Sequence, residues 1–398
     1  MNFSKLTFYL FWASFSSIVR FISSNPNLKE KQTVTQTPNI SEEYEPNQIS
    51  PKMTENNDYI DGTVLKINQS YKGVYGYYVT IISRNPKLNI NIKIDTQIPF
   101  LWLVDDRCLF CYEAFGMQGA ETMSKRKSYS VIKNVVSGDD GSSFYGEYAV
   151  DNFIIGKEIR IPFLNVAVPG SITPPKSFSI ESEKVYTSFK TSLYTDLSNP
   201  IVSGVLGLGH QYENLKKNMF FSQENSIISK LKNKIISIDL RKENERLSLG
   251  FIDKNYTKSD FHWVNIPRDS AFEVTLNYIK IKDIVYVMEK KAVLNPRYKE
   301  TYLPGYLVDN INSDISNWYT FGCYSFDKID PIEIGINGKG YTIHPQNFLI
   351  SYFYCCDSKF TSIQDNIQGI DTVILGESFF QEYMVVFDYE NNRIGIAN

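Results

Sequence analysis

From Leu88 to Ile94 every second residue is a large aliphatic one, and an extended strand is the element that gathers such a set onto one face. The rule repeats at Ile332, Ile334 and Ile336, runs into Asn337-Gly338-Lys339-Gly340, and resumes at Tyr341 and Ile343, which reads as a hairpin. Strand signals of this kind recur from about Gly62 to the last residues. The 27 Tyr and 26 Phe suit pleated, half-buried surfaces. The expected fold class is therefore all-β, mostly strand with short helices. One such helix is predicted to start at Ser222, with Ile227, Ile228 and Leu231 sharing a face.

A single hydrophobic core stops growing at roughly 250 to 300 residues, so a chain of 398 residues implies two lobes. At 42% hydrophobic and 21% charged residues it can bury a sizeable core. Its formal charge of -3 comes from 41 basic and 44 acidic residues, with no basic stripe to track a phosphate backbone, so nucleic acid is not an expected partner. The three histidines, His210, His262 and His344, lie far apart, which gives neither a metal cluster nor a Ser/His/Asp triad. The glycines at 338 and 340 are not followed by a helix pattern, as a phosphate-binding loop would be. No metal and no cofactor are expected.

Residues 6 to 19 form an apolar run behind Lys5, shorter than the roughly 18 residues a spanning helix needs. Residues 1–22 are read as a signal peptide, the alternative being an uncleaved anchor, since Arg20 follows directly. The expected location is secreted or lumenal, extracellular or endolysosomal, with no membrane attachment after signal removal. Residues 23–60 are polar and lack an apolar period, so a disordered arm is expected. Disulfides are plausible in that setting. Cys108 and Cys111 lack the second Cys or His pair that zinc would require, and Cys323 could pair with Cys355 or Cys356, leaving one of five cysteines over. Asn39, Asn68 and Asn255 stand in Asn-x-Ser/Thr triplets and are candidate glycosylation sites.

Three segments carry a resemblance. VILGESFFQEYMVVFDYENNRIGIA, from Val373 to Ala397, is similar to the final strands of pepsin and cathepsin D. SGVLGLGHQ, from Ser203 to Gln211, resembles the glycine-bearing strand of the N-terminal lobe in that family. YYVTIISRNPKLNINIKIDTQIPFLWLVDDRC, from Tyr77 to Cys108, resembles the hairpin leading to the Asp-Thr-Gly motif and its nearby Trp, with Asp95, Thr96 and Trp102 in place. The resemblance, over about residues 62 to 398, implies a bilobal pepsin-like aspartic protease fold, two β-barrel-like lobes with a cleft between them. The N-terminal lobe is expected at 61–236 and the C-terminal lobe at 237–398. It also implies a disulfide loop at Cys108 and Cys111 and aspartic-type endopeptidase chemistry, while Trp102 and Trp263 are expected to pack within the lobes.

That chemistry needs two carboxylates sharing one proton, one acting as acid while the other activates water. The segment matching the second Asp-Thr-Gly is AVLNPRYKETYLPG from Ala292, which sets Asn295 in the aspartate position, Pro296 for Thr and Arg297 for Gly. An amide has no titratable proton in the working range. Deamidation of Asn295 to Asp should be very slow as well, because the usual route uses the next backbone N–H, which Pro296 lacks. In the first lobe Gln97 replaces glycine and Ile98 the usual Ser or Thr, predicting a cramped, less polar surround for Asp95. The tyrosine of the family's flap falls at Ser137 or Asp139, and Tyr145 lies on the return side.

Asp95 is then either a strand-end carboxylate bonded to backbone amides or a group that grips a peptide amide in the cleft. Arg297 is either an exposed loop cation or turns inward and pairs with Asp95. The expected function is a catalytically inactive, monomeric pseudoprotease that binds a peptide or protein segment in its cleft. Two alternatives stand beside it: a weakly active endopeptidase in which Asp309 meets Asp95, and a structural or surface-interaction protein that ignores the cleft.

Overall fold

The computed structural model describes residues 59–69, 76–83, 88–104, 130–137, 144–168, 204–209, 226–267, 272–318, 329–351, 356–362 and 372–398. The signal peptide, most of the polar arm, Asn39, Cys108, Cys111, Asp139, Ser222, Cys323 and Cys355 lie outside them.

The first half contributes β1 (Thr63–Gln69), β2 (Tyr77–Ser83), β3 (Leu88–Asp95), β4 (Leu101–Val104), β5 (Ser130–Ser137), β6 (Phe144–Ile155), β7 (Lys157–Val168) and β8 (Gly204–Gly207). Then come β9 (Ile235–Asp239), β10 (Arg246–Leu249), β11 (His262–Asn265), β12 (Glu273–Ile281), β13 (Ile284–Leu294), β14 (Thr301–Leu303), β15 (Ile332–Ile336) and β16 (Lys339–Ile343). β17 (Leu349–Ser351), β18 (Cys356–Ser358), β19 (Phe360–Ser362), β20 (Val373–Leu375), β21 (Met384–Asp388) and β22 (Arg393–Ala397) complete the set. The α-helices among the described residues are α1 (Gly305–Trp318), α2 (Pro345–Phe348) and α3 (Glu377–Phe380).

These strands build two principal sheets. One has 13 strands in the order β11-β22-β21-β9-β10-β1-β2-β3-β8-β4-β7-β6-β5, the other seven in the order β16-β15-β12-β13-β20-β14-β19. The larger sheet mixes strands from both ends of the chain: β1 pairs with β10, and β21 with both β9 and β22.

Alternation decides which face is inward. On β3, Ile90, Ile92 and Ile94 are buried while Asn89 is exposed. The hairpin from Ile332 to Ile343 forms with a tighter turn than the four-residue stretch Asn337-Gly338-Lys339-Gly340 suggests. Asn337 (φ 47°) and Gly338 (φ 82°) make the turn, and Lys339 and Gly340 already belong to β16. Two left-handed residues match the strand twist there, and Asn and Gly are the residues that tolerate them. Helix α1 buries Leu307, Val308 and Ile311, one helical stripe. Ile227–Lys230 is a 3-10 turn capped by Ser226, whose hydroxyl accepts from the Ile228 N–H at 3.0 Å. Ile227 and Ile228 are buried, so this turn is an internal plug. No described helix is long and apolar enough to cross a membrane, and no cluster of three metal-ligating side chains occurs among the described residues.

Candidate active site

Two loops with the same construction meet at this site. β3 ends on Asp95, β8 lies parallel to it with Gly207 opposite Asp95, and β4 returns antiparallel along the other side of β8. A Cβ on Gly207 would lie 2.2 Å from the Phe100 carbonyl oxygen and 2.4 Å from that of Ile98, so only glycine lets the loop close this tightly. The second half repeats the pattern. β13 ends on Leu294, β20 lies parallel beside it, and β14 pairs antiparallel with β20. A Cβ on Gly376 would lie 2.1 Å from the Glu300 carbonyl oxygen and 2.5 Å from that of Tyr298. Residues 95–98 and 295–298 thus leave equivalent strand ends, one in each principal sheet.

The loops are tied directly. The Thr96 hydroxyl donates to the Leu294 carbonyl at 2.6 Å, and the Thr96 N–H to Asn295 Oδ1 at 3.4 Å. Pro296, in the place equivalent to Thr96, has neither a hydroxyl nor an N–H, so it cannot return either bond.

Asp95 and Asn295 are both fully buried. Asp95 Oδ1 accepts the N–H groups of Gln97 (2.7 Å) and Ile98 (3.0 Å), and Asn295 Nδ2 donates to the same oxygen at 3.0 Å. Oδ2 faces Arg297 Nη1 at 3.0 Å, an ion pair whose two side chains are 0% and 1% exposed. Asn295 Nδ2 also reaches Gln97 Oε1 at 3.2 Å, and Asn295 Oδ1 accepts the Arg297 N–H at 3.1 Å. The amide therefore bridges the two loops and orients the residue that supplies the positive charge.

Arg297 turns inward because the loop gives its head partners that water cannot reach: Asp95, and the Tyr298 hydroxyl at 3.3 Å from Nη1. Its guanidinium carbon also stands 4.8 Å from the centre of the Tyr298 ring. A planar, always-charged group suits such a pocket better than an ammonium. The surround of Asp95 is thus crowded but rich in donors, against the less polar setting predicted from Gln97 and Ile98. The reason is that Gln97 contributes both its backbone N–H and a side-chain oxygen that holds the Asn295 amide.

A carboxylate offers about four lone-pair sites. Here three donors converge on Oδ1, the guanidinium stands on Oδ2, and the carboxylate is fully buried, so protein groups rather than water surround it. No second carboxylate bonds to Asp95 among the described residues, and Asp309 is exposed on α1.

Ser137 ends β5, with its backbone paired to Phe144, while Cys356 opens β18 opposite Ser351. Trp102 is buried, and Trp263 is half-buried under the Arg393 guanidinium at 4.0 Å. Asn68 is half-buried in β1, and Asn255 is exposed in the 3-10 turn Lys254–Tyr256. Sequence reasoning passed over Tyr298, although its position beside Arg297 was a visible signal. It also passed over Glu377, which enters below.

The family model for eukaryotic aspartyl protease matches residues 76–398. Among curated proteins, the chain is 24% identical to pregnancy-associated glycoprotein 2 of Bos taurus over 81% of both chains. It is 22% identical to renin of Canis lupus familiaris over 81% of this chain and 78% of renin. Against pepsin A of Gallus gallus it is 22% identical over 84% of this chain and 88% of the pepsin. The paired loop construction, the mostly-β architecture in two principal sheets and these matches agree: the chain belongs to the eukaryotic aspartyl protease family.

Proposed function

We propose that this chain is a secreted or lumenal pseudoprotease of the pepsin type, one that holds an extended peptide or protein segment in its cleft without hydrolysing it. The observation that carries this reading is the occupancy of Asp95. Its partner across the loops is the Asn295 amide, and its second oxygen is held by Arg297. Neither group can share and pass a proton as the second carboxyl must. Peptide binding needs no dyad, because main-chain hydrogen bonds along strand edges and pockets for alternate side chains supply it. The N-terminal apolar run supports a secretory route. The protein acts as a monomer and without a cofactor in this reading.

The test has two arms. Purified protein is incubated with denatured haemoglobin at steps from about pH 2 to about pH 7, the range over which such dyads work. Pepstatin-sensitive cleavage at any step would overturn the loss of activity. In the second arm immobilised protein is exposed to a peptide pool from digested haemoglobin; retention of a subset that pepstatin releases supports cleft binding, and no retention removes it.

A further inference from the structure

Glu377 opens α3 and is 3% exposed. The only side-chain hydrogen bond it makes among the described residues is one accepted at Oε1 from the main-chain N–H of Tyr77, at 3.2 Å and 300 residues away. Gln381, at the other end of the same turn, donates its Nε2 to the Tyr77 hydroxyl at 2.9 Å and accepts from Lys359 Nζ at 3.1 Å. Helix α3 therefore holds Tyr77 by its backbone and by the tip of its ring, and with it the start of β2. The fit leaves no slack. Gly76 takes φ +77°, and a Cβ there would lie 2.3 Å from Glu377 Oε1. On its other side α3 is joined to the active-site loop, since the Glu377 N–H donates to the Tyr298 carbonyl at 2.9 Å.

We propose that Glu377 is a proton-operated latch: carrying its proton it keeps α3 closed on Tyr77 of β2, and losing that proton it loosens the contact, so acidification tightens the join between the two halves of the chain. Ionising a carboxyl this far from water is costly, and the one neutral N–H it accepts, though a stronger bond for the charged form, does not match the hydration given up. Burial pushes Glu377 up from 4.5 to about 7. The surrounding charges only moderate this: Lys359, Lys93 and Lys299 draw it down, while Glu300 raises it. Lys359 is itself pushed down by burial. Burial also pushes the Tyr77 hydroxyl up to about 12, so it keeps its proton throughout the relevant range. The sign follows from linkage. A folded-state value above the unfolded one means that the contribution to stability is complete below about pH 4.5 and is lost as pH rises through about 7.

The experiment measures amide exchange at Tyr77, corrected for the intrinsic pH dependence of exchange, with thermal unfolding alongside, in the full chain and in Glu377→Gln. Between about pH 4.5 and about pH 7.5 the wild type is expected to lose about tenfold or more of its Tyr77 protection, because a shift of a unit or more is worth that factor. Val79, two residues along the same strand, should change little. Glu377→Gln keeps the shape without the proton and should show a flat Tyr77 profile and a melting temperature less sensitive to pH. Equal pH profiles in the two proteins would overturn the proposal. Should the variant fail to fold, constant Tyr77 protection in the wild type alone would overturn it, and a selective loss there would support it.

Discussion

Removing one member of the Asp95–Arg297 pair should cost far more than removing both. The charges approach to 3.0 Å with their side chains 0% and 1% exposed, so neither can fall back on water when its partner goes. At that separation and an effective dielectric near 20, two unit charges attract by about 5 kcal/mol, and breaking buried pairs typically costs about 3–5 kcal/mol. Arg297→Met should therefore destabilise the protein by about 3–5 kcal/mol. Asp95→Asn should cost a similar amount, since it removes the negative charge and sets an amide N–H against the guanidinium. The double variant replaces the pair with neutral groups and should fall within about 2 kcal/mol of wild type, because well-packed neutral replacements of buried ion pairs are often near neutral. The four proteins form a double-mutant cycle, read by urea unfolding near neutral pH with Trp fluorescence. A buried pair is weakly screened, so the coupling should persist when salt rises to about 1 M. If Arg297→Met costs less than about 1 kcal/mol, or the two single effects add within about 0.5 kcal/mol, the pair is not the closed, desolvated contact described here.

Restoring the missing carboxyl alone should not restore hydrolysis. Asn295→Asp leaves Arg297 on Asp95 Oδ2 and should give no cleavage of denatured haemoglobin, and acid-stage activity in that variant would contradict the blocked geometry. Gly207→Ala forces a methyl to 2.2 Å from the Phe100 carbonyl oxygen and should lower stability by at least about 1–3 kcal/mol, the usual cost of overpacking, measured by thermal unfolding. Of the two triplet asparagines among the described residues, Asn255 should carry a glycan in secreted material, because its turn is exposed, whereas Asn68 lies half-buried within a sheet. A mass decrease on enzymatic deglycosylation that is lost in Thr257→Ala checks this.

Much of the frame was legible in the sequence because it rests on local rules. A period of two with a buried face sets β3 and delivers Asp95 at its end, and Asn337-Gly338 sets its hairpin through backbone preference alone. The family resemblance then located Asn295, 200 residues away, by order along the chain. The direction of Arg297 was not legible. A long side chain on a loop can point either way, and the choice depends on what the opposite loop presents. Nor could spacing reveal the Glu377 contact, whose partner is 300 residues distant and is a backbone group with no side-chain signature. The helix start predicted at Ser222 lies outside the described residues, and the described part of that run is a 3-10 turn, Ile227–Lys230, capped by Ser226, with Ile227 and Ile228 buried.

The seating of β21 between β9 and β22 sets an order of events during synthesis. Until residues 384–388 have left the ribosome, β9 can pair with β10 but keeps its other edge open, because its neighbour spans Met384–Asp388. An unpaired edge on a nascent protein invites strand exchange with other chains, and contacts this far apart in sequence form slowly. Until β21 has emerged, this protein should therefore depend on chaperones that shield strand edges.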